Sequence, residues 1–380
     1  MPLTRNLYRE DEVIASLQLS ILRGRHIEAV FWATELLESQ MATEFLDALK
    51  TIWVLGFGIA ALSWYAEFKR VTALDVLDQD ALIGLVIGLS RNVGRDITHI
   101  VLAGSTLGPE QVNLCMVPKG LVGADSFFAA AIAQGRTVTA WRALPSIQKG
   151  TLDTVGRFKH GTCVSTLLDL YEEYPGIVIA ALCLPRGELE KRLMTEIPGH
   201  LNEVIEAIEE WEGLNGRARR VYTIPYDALY WLTARGHTDV YTSSDSHIRG
   251  SLERPDRLWG SVYWDSVVEE IGGWQAVRSD DDVREAFYEA HFPGDIPDEW
   301  SSKARGKSHG NGCLQRGGVA SLQRFLKTWF AQYSSAVIWD QFDAAIKNID
   351  VKKLAEITVP IGAPVTLNLE RYGRRSFTVV

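Results

Sequence analysis

The chain has 380 residues, 46% hydrophobic, 10% aromatic and 23% charged, enough apolar material for one large core or two of ordinary domain size. A formal net charge of -9 and a pI near 5.5 exclude a protein whose whole surface coats nucleic acid or an anionic membrane, leaving a local basic patch for any such role. Four cysteines, Cys115, Cys163, Cys183 and Cys313, lie far apart with no C-x-x-C pair, a pattern of reduced thiols in an intracellular protein rather than a zinc knuckle or disulfide framework.

The N-terminal "MPLTRNLYREDEVIA" reaches acidic residues before any apolar run and so does not read as a secretory signal. From Glu10 to Arg91 apolar residues recur three and four apart, the period of amphipathic helices. "DEVIASLQLSILRG" directs Val13, Leu17 and Leu22 to one side, with Gly24 as a stop signal. "HIEAVFWATELLESQ" follows, with Ile27, Val30, Phe31 and Leu36 or Leu37 facing inward, and then "ATEFLDALKTIWVLGFG". Short connections between such segments make neighbouring helices antiparallel. The most apolar windows, "TIWVLGFGIAALSWYAEF" and "ALIGLVIGLS", fall short of about 20 clean residues or carry polar breaks, so they read as buried helices. No membrane association is expected, and the location is cytoplasmic or nuclear.

Further along, "ADSFFAAAIAQGR", "CVSTLLDLYEEY" and "GIVIAALCLP" read as short helices between glycine and proline breaks, and "LNEVIEAIEEWEGL" as an amphipathic helix. "YTIPYDALYWLTARG" has Pro225 near its start and Gly236 at its end, the start and stop signals of a helix. Its Tyr226 and Tyr230 are read as core aromatics that reach an interaction surface, with base or sugar stacking as the alternative. Charge changes abruptly near Trp300: residues 268–300 carry ten acids against Arg278 and Arg284, whereas residues 301–339 carry none. The final "VTLNLERYGRRSFTVV" alternates apolar and polar residues about a Tyr-Gly turn and reads as a hairpin. The expected architecture is therefore mainly α: stacked helical hairpins, as an irregular solenoid or collar, with a small C-terminal β-hairpin. The divisions fall at an N-terminal helical domain (1–91), a central helical domain (92–300), a flexible basic loop (301–318), and C-terminal helices with the hairpin (319–380).

Three clusters carry chemistry. "HTDVYTSSDSHIRG" supplies His237, Asp239, Asp245 and His247 as H-x-D and D-x-H, ligand types that would hold a divalent metal and support hydrolysis; turns and helix caps are the bland reading. Lys303, Arg305, Lys307 and Arg316, followed by "FLKTWFAQY", form the one segment suited to phosphates, within 301–339; the bland reading is an exposed loop answering the acidic arm before it. Cys163 stands close to His160, but no orienting acid can be assigned to such a pair. "ARGKSHG" has Ser301 where a phosphate-binding loop needs its first glycine, and "GFGIAAL" lacks a third glycine and sits within helical pattern. No cofactor is expected apart from the metal that the His/Asp cluster would bind.

Residues 16–39, "SLQLSILRGRHIEAVFWATELLES", resemble the start of the helical collar of clamp-loader-related AAA+ proteins, especially the replication-associated recombination ATPases. Arg23, Gly24, Glu28, Ala29, Trp32 and Leu36 occupy the matching positions. The resemblance implies a helix-hairpin geometry and self-association, and carries no ATPase activity because the chain has no Walker motif. "IPYDALYWLTARG" and "GSVYWDSVV" are similar to segments of uncharacterised helical proteins of large nucleocytoplasmic DNA viruses, which implies a viral or virion-associated protein. The expected function is a non-enzymatic scaffold that binds a protein partner or itself. A metal-dependent hydrolase and a DNA replication or repair accessory factor are the alternatives.

Overall fold

The computed structural model describes residues 3–6, 8–74, 77–92, 94, 96, 98, 99, 102, 111–114, 117–195, 205–206, 260–291, 365–367 and 377–379. The chain is mainly helical over these residues. In order they form α1 (Glu10–Leu22), α2 (His26–Glu38), α3 (Ala42–Ile52), α4 (Leu62–Thr72) and α5 (Gln79–Arg91). Then come α6 (Gly123–Ala133), α7 (Thr137–Ala143), α8 (Thr151–His160), α9 (Ser165–Leu168), α10 (Pro175–Cys183) and α11 (Arg186–Met194). A separate group follows: α12 (Val262–Glu269), α13 (Gly273–Ser279) and α14 (Asp281–His291).

The tight exits between early helices share one geometry. Beyond α1 the Arg25 N–H bonds back to Ser20 O at 2.9 Å, beyond α2 Met41 to Leu36 O at 2.9 Å, and beyond α6 Arg136 to Ala131 O at 2.8 Å. Each closes a Schellman turn through a positive-φ residue, Gly24, Gln40 or Gly135. These turns bring the next helix back within a few residues, so hairpins follow from local chemistry before any core forms.

Helices α1 and α10 are enclosed, and α2 is likewise buried from Glu28 to Leu36. In α1 every residue from Glu12 to Leu22 is buried, because α2, α3 and α5 pack around it. In α10 every residue from Ile177 to Cys183 is buried, within α6, α7 and α8. Two of the polar side chains enclosed in α1 reach main-chain carbonyls: Ser16 Oγ bonds to Glu12 O at 2.6 Å and Gln18 Nε2 to Ala48 O at 3.3 Å. On α3, Phe45, Ala48, Leu49 and Ile52 form the buried stripe that the spacing predicts. Helix α11 then crosses back to α4, α8 and residues 59–61. A single hydrophobic core takes side chains from both enclosed helices and so runs across the expected division at residue 91.

The α12–α14 unit has its own small core of Trp264, Val268, Val277 and Phe287, into which Leu3 packs. At the C-terminus, β1 (Val365–Leu367) and β2 (Phe377–Val379) pair antiparallel, Val365 opposite Val379 and Leu367 opposite Phe377, as the alternating pattern predicts. The expected helix over residues 201–214 lies outside the described residues except at 205–206, and the expected basic loop 301–318 lies wholly outside them.

One expectation is corrected. The run through "TIWVLGFGIAAL" is not continuous helix: α3 ends in a π-helical turn, Trp53–Phe57, and the chain breaks at Gly58 before a short 3-10 turn, Ile59–Ala61, leads into α4. The G-x-G pair therefore sits at a break between helices, and it is there that the two enclosed halves meet.

Candidate functional site

The break at Gly58 is built from three constraints. Its N–H closes the π-turn onto Trp53 O at 2.7 Å. Its φ of +52° is a conformation that a side chain strongly disfavours. A Cβ here would run into the His99 imidazole and lie 2.6 Å from Asp96 O. Residues 57–58 thus accept the main chain of Asp96, whose N–H donates to Phe57 O at 3.3 Å and which forms a parallel bridge with Gly58. π-Turns of this kind recur at functional sites, which makes the junction the first place to look for chemistry.

His99 fills the space that Gly58 leaves. Its Nε2 lies 2.6 Å from Val54 O, inside the π-turn. A carbonyl only accepts, so Nε2 carries the proton and Nδ1 is the bare nitrogen; Nδ1 is buried without a hydrogen-bond partner. On its other side His99 lies against Gly176 at the start of α10, where an added Cβ would come within 3.5 Å of the His99 Cβ. Burial is the main cause that pushes its pKa down to about 4, outweighing the Val54 carbonyl and the Asp96 carboxylate, which pull it up. His99 is therefore neutral near pH 7.

Asp96 and Arg192 close the same seam. Asp96 Oδ1 accepts from the Thr98 backbone N–H at 3.1 Å and its hydroxyl at 2.7 Å, which fixes the turn into His99. Asp96 Oδ2 accepts from Arg192 Nη1 at 2.8 Å, and Arg192 also reaches Glu188 at 2.9 Å and Ile59 O at 3.4 Å. One guanidinium thus ties α11 to the 3-10 turn and to the segment around residue 96.

Beside the π-turn an aromatic block joins the halves. Trp53 stacks on Tyr65 at 4.3 Å, and Tyr174, which precedes α10, meets both edge-on at 5.3 and 5.6 Å. The Tyr65 hydroxyl donates to Glu173 at 2.8 Å, and Lys69 donates to the other oxygen of that carboxylate at 2.9 Å. Burial pushes the Tyr65 and Tyr174 phenols well above the usual range. Burial also opposes ionisation of Glu173, but the bonds from Lys69 and Tyr65 outweigh it and hold that carboxyl below its usual value. The phenols are thus hydrogen-bonding groups and the carboxylate a charged anchor.

A second polar junction lies at the far end of α10. Lys159 Nζ donates to Ile132 O at 2.7 Å, Leu182 O at 2.9 Å and Cys183 O at 3.1 Å, placing an ammonium on carbonyls at the ends of α6 and α10. A cation there answers both unsatisfied carbonyls and the helix dipoles, and burial lowers its pKa. His160 Nε2 bonds to Leu182 O at 2.9 Å. The Cys163 thiol lies 3.1 Å from the His160 carbonyl, so it donates to the main chain while the ring faces α10. The sequence pair Cys163 and His160 is therefore not a thiol–imidazole dyad.

Tyr226, Tyr230, His237, Asp239, Asp245, His247, Lys303, Arg305, Lys307 and Arg316 all lie outside the described residues. Among the described residues no group of three or more His, Cys, Asp or Glu is arranged to hold a metal ion, and no helix is long and apolar enough to cross a membrane. The seam residues Gly58, Asp96, His99 and Arg192 were not singled out by spacing. Their only local signals are the second glycine of "GFG" and the Asp-x-Thr turn of "DITH". Comparison with known protein families, curated proteins and solved structures finds no match to this chain.

Two outcomes test this geometry. Gly58→Ala is expected to destabilise the fold by at least about 2–3 kcal/mol, since it adds a left-handed strain to a clash with backbone; urea denaturation that finds less than about 0.5 kcal/mol would contradict the packing. For His99 the folded pKa, about 4, lies below the model-compound value of 6.5. Its contribution is therefore fully present above pH 6.5 and is lost as pH falls toward 4, where the unfolded chain binds a proton that the folded chain does not. The loss expected over that window is roughly 3 kcal/mol. Denaturation from pH 8 to 4 should show a shallower fall in His99→Gln, which keeps a donor for Val54 O, than in the wild type; identical profiles would contradict the assignment.

Proposed function

We propose that the protein is a non-enzymatic scaffold or protein-interaction protein, holding a partner or a second copy of itself on a helical frame. The observation that carries this reading is how its buried ionisable and imidazole groups are used. Lys159, His160 and His99 each bond to main-chain carbonyls of neighbouring elements, and Arg192 joins α11 to Asp96 and Ile59 O. Groups of these types often serve as acids, bases or nucleophiles. Here these bonds fix helix ends and the π-turn against their neighbours, which suits a frame whose outer faces do the binding, while the Nδ1 atoms of His99 and His160 stay buried without a partner. The collar-like sequence of residues 16–39 supports self-association within the same proposal. A virus-encoded or virion-associated setting is part of it too, and rests only on the likeness of residues 224–236 and 260–268 to viral helical proteins.

Light scattering coupled to size exclusion, with elemental analysis of the same peak, tests the reading. The expected result is a discrete oligomer, or a monomer that gains a defined mass with its partner, without stoichiometric metal. Near one metal per chain, lost in a His237→Ala and His247→Ala double variant, would overturn it in favour of a metal-dependent hydrolase.

A further inference from the structure

The N-terminal residues make an unusual contact with the α12–α14 unit. Leu3 packs its side chain against the core of Trp264, Val268, Val277 and Phe287. Its carbonyl accepts from Ser261 Oγ at 2.7 Å, and the next carbonyl, Thr4 O, accepts from Trp264 Nε1 at 3.1 Å. Ser261 and Trp264 are themselves fully buried. Side-chain donors that read successive main-chain carbonyls, beside an apolar seat for one side chain, are how a protein takes an extended peptide: the carbonyls give affinity whatever the sequence, and the seat selects the side chain.

The occupant is presented by a different part of the molecule. Thr4 N bonds to Tyr8 O at 2.9 Å and Tyr8 N to Thr4 Oγ1 at 3.1 Å, closing a hook. Asn6 then grips Glu35 on α2 through its backbone N–H at 3.1 Å and its side-chain amide at 2.6 Å. The hook thus belongs to the main stack, while the seat for Leu3 belongs to a unit more than 250 residues further along the chain. The unit is also strongly acidic: residues 260–291 hold eight carboxylates against Arg278 and Arg284. The next residue of the chain, Arg5, pairs with Glu35 and Glu38 on α2. The unit's excess of carboxylates therefore favours a basic segment.

We propose that the α12–α14 unit carries a docking site for an extended, leucine-bearing basic segment of a partner protein, a site that Leu3 and Thr4 fill within the chain. This rests on the interaction-protein reading and names the kind of partner. A segment tethered in the same chain competes at high effective concentration, so the site is freed by removing the Leu3 side chain from its seat. The probe is a fluorescent peptide of residues 1–6, MPLTRN, titrated by anisotropy into the full-length chain. The Leu3→Asp variant is expected to bind it at least about tenfold more tightly than the wild type does. Adding Trp264→Phe, which keeps an aromatic ring but removes the donor to Thr4 O, is expected to weaken binding by about tenfold. A probe with Asp in place of its leucine should not bind. Near-UV circular dichroism, read as the difference from the wild type, reports the packing of Trp264 and Trp274 among the chain's twelve tryptophans. If Leu3→Asp loosens the unit, the intact peptide should restore the signal.

No binding to Leu3→Asp, with the unit folded or loosened, would overturn the proposal, as would equal binding of the Asp-containing probe. Either result would leave Leu3 and Thr4 as a structural seam. The oligomeric mass and metal content are read on the wild type, so this proposal and the scaffold reading fail separately.

Discussion

The arrangement of the main helical stack depends on a missing side chain. Gly58 takes a positive φ at the end of a π-turn, and the volume that a Cβ would occupy is filled by the His99 ring and the Asp96 main chain. Once that space is open, the other contacts of the seam become available. Val54 O turns to His99, Asp96 pairs with Phe57 and Gly58, and Arg192 reaches both Asp96 and Ile59 O. The segment that includes His99 also lies against the start of α10. The seam thus links the helices around α1 to those around α10 through backbone that a larger residue would hold apart.

The polar residues at this seam and at the Lys159 junction follow from a simple asymmetry. A satisfied hydrogen bond adds only about 0.5–1.5 kcal/mol net, while a buried group left without a partner costs about 1–3 kcal/mol. Enclosing α10 buries carbonyls near its C-terminal end, and Lys159 and His160 answer them. Enclosing the π-turn buries Val54 O, and His99 answers it. Their main effect is to fix which helix ends meet, since misplacing them would strand these carbonyls. The apolar surfaces of α1 and α10 supply the larger driving force but are less selective about register.

Much of the helical architecture was legible because it is local. The spacing of Phe45, Leu49 and Ile52 marks the inner face of α3 and Gly24 marks the end of α1, whereas the one-sided pattern of Val13, Leu17 and Leu22 understated α1, which is buried on every face from Glu12 to Leu22. The seam was not legible, because it joins residues distant in sequence: Val54 with His99, and Asp96 with Arg192. The apolar run through Trp53–Phe57 also looked like helix, since a π-turn keeps nearly the same side-chain pattern while shifting the register by one residue. Trp264 was legible as an apolar residue, but its bond to Thr4 O, 260 positions away, was not.

One seam makes the helices around α1 and α10 a single cooperative body. Native-state hydrogen exchange, read on the amides of Val13 to Leu22 and of Ile177 to Cys183 under mild denaturant, tests it most directly. The slowest amides in both helices are expected to open with the same free energy and the same denaturant dependence, the signature of one global unfolding event. If α10 opens in a separate event of clearly lower free energy while α1 stays protected, the seam does not couple the two halves.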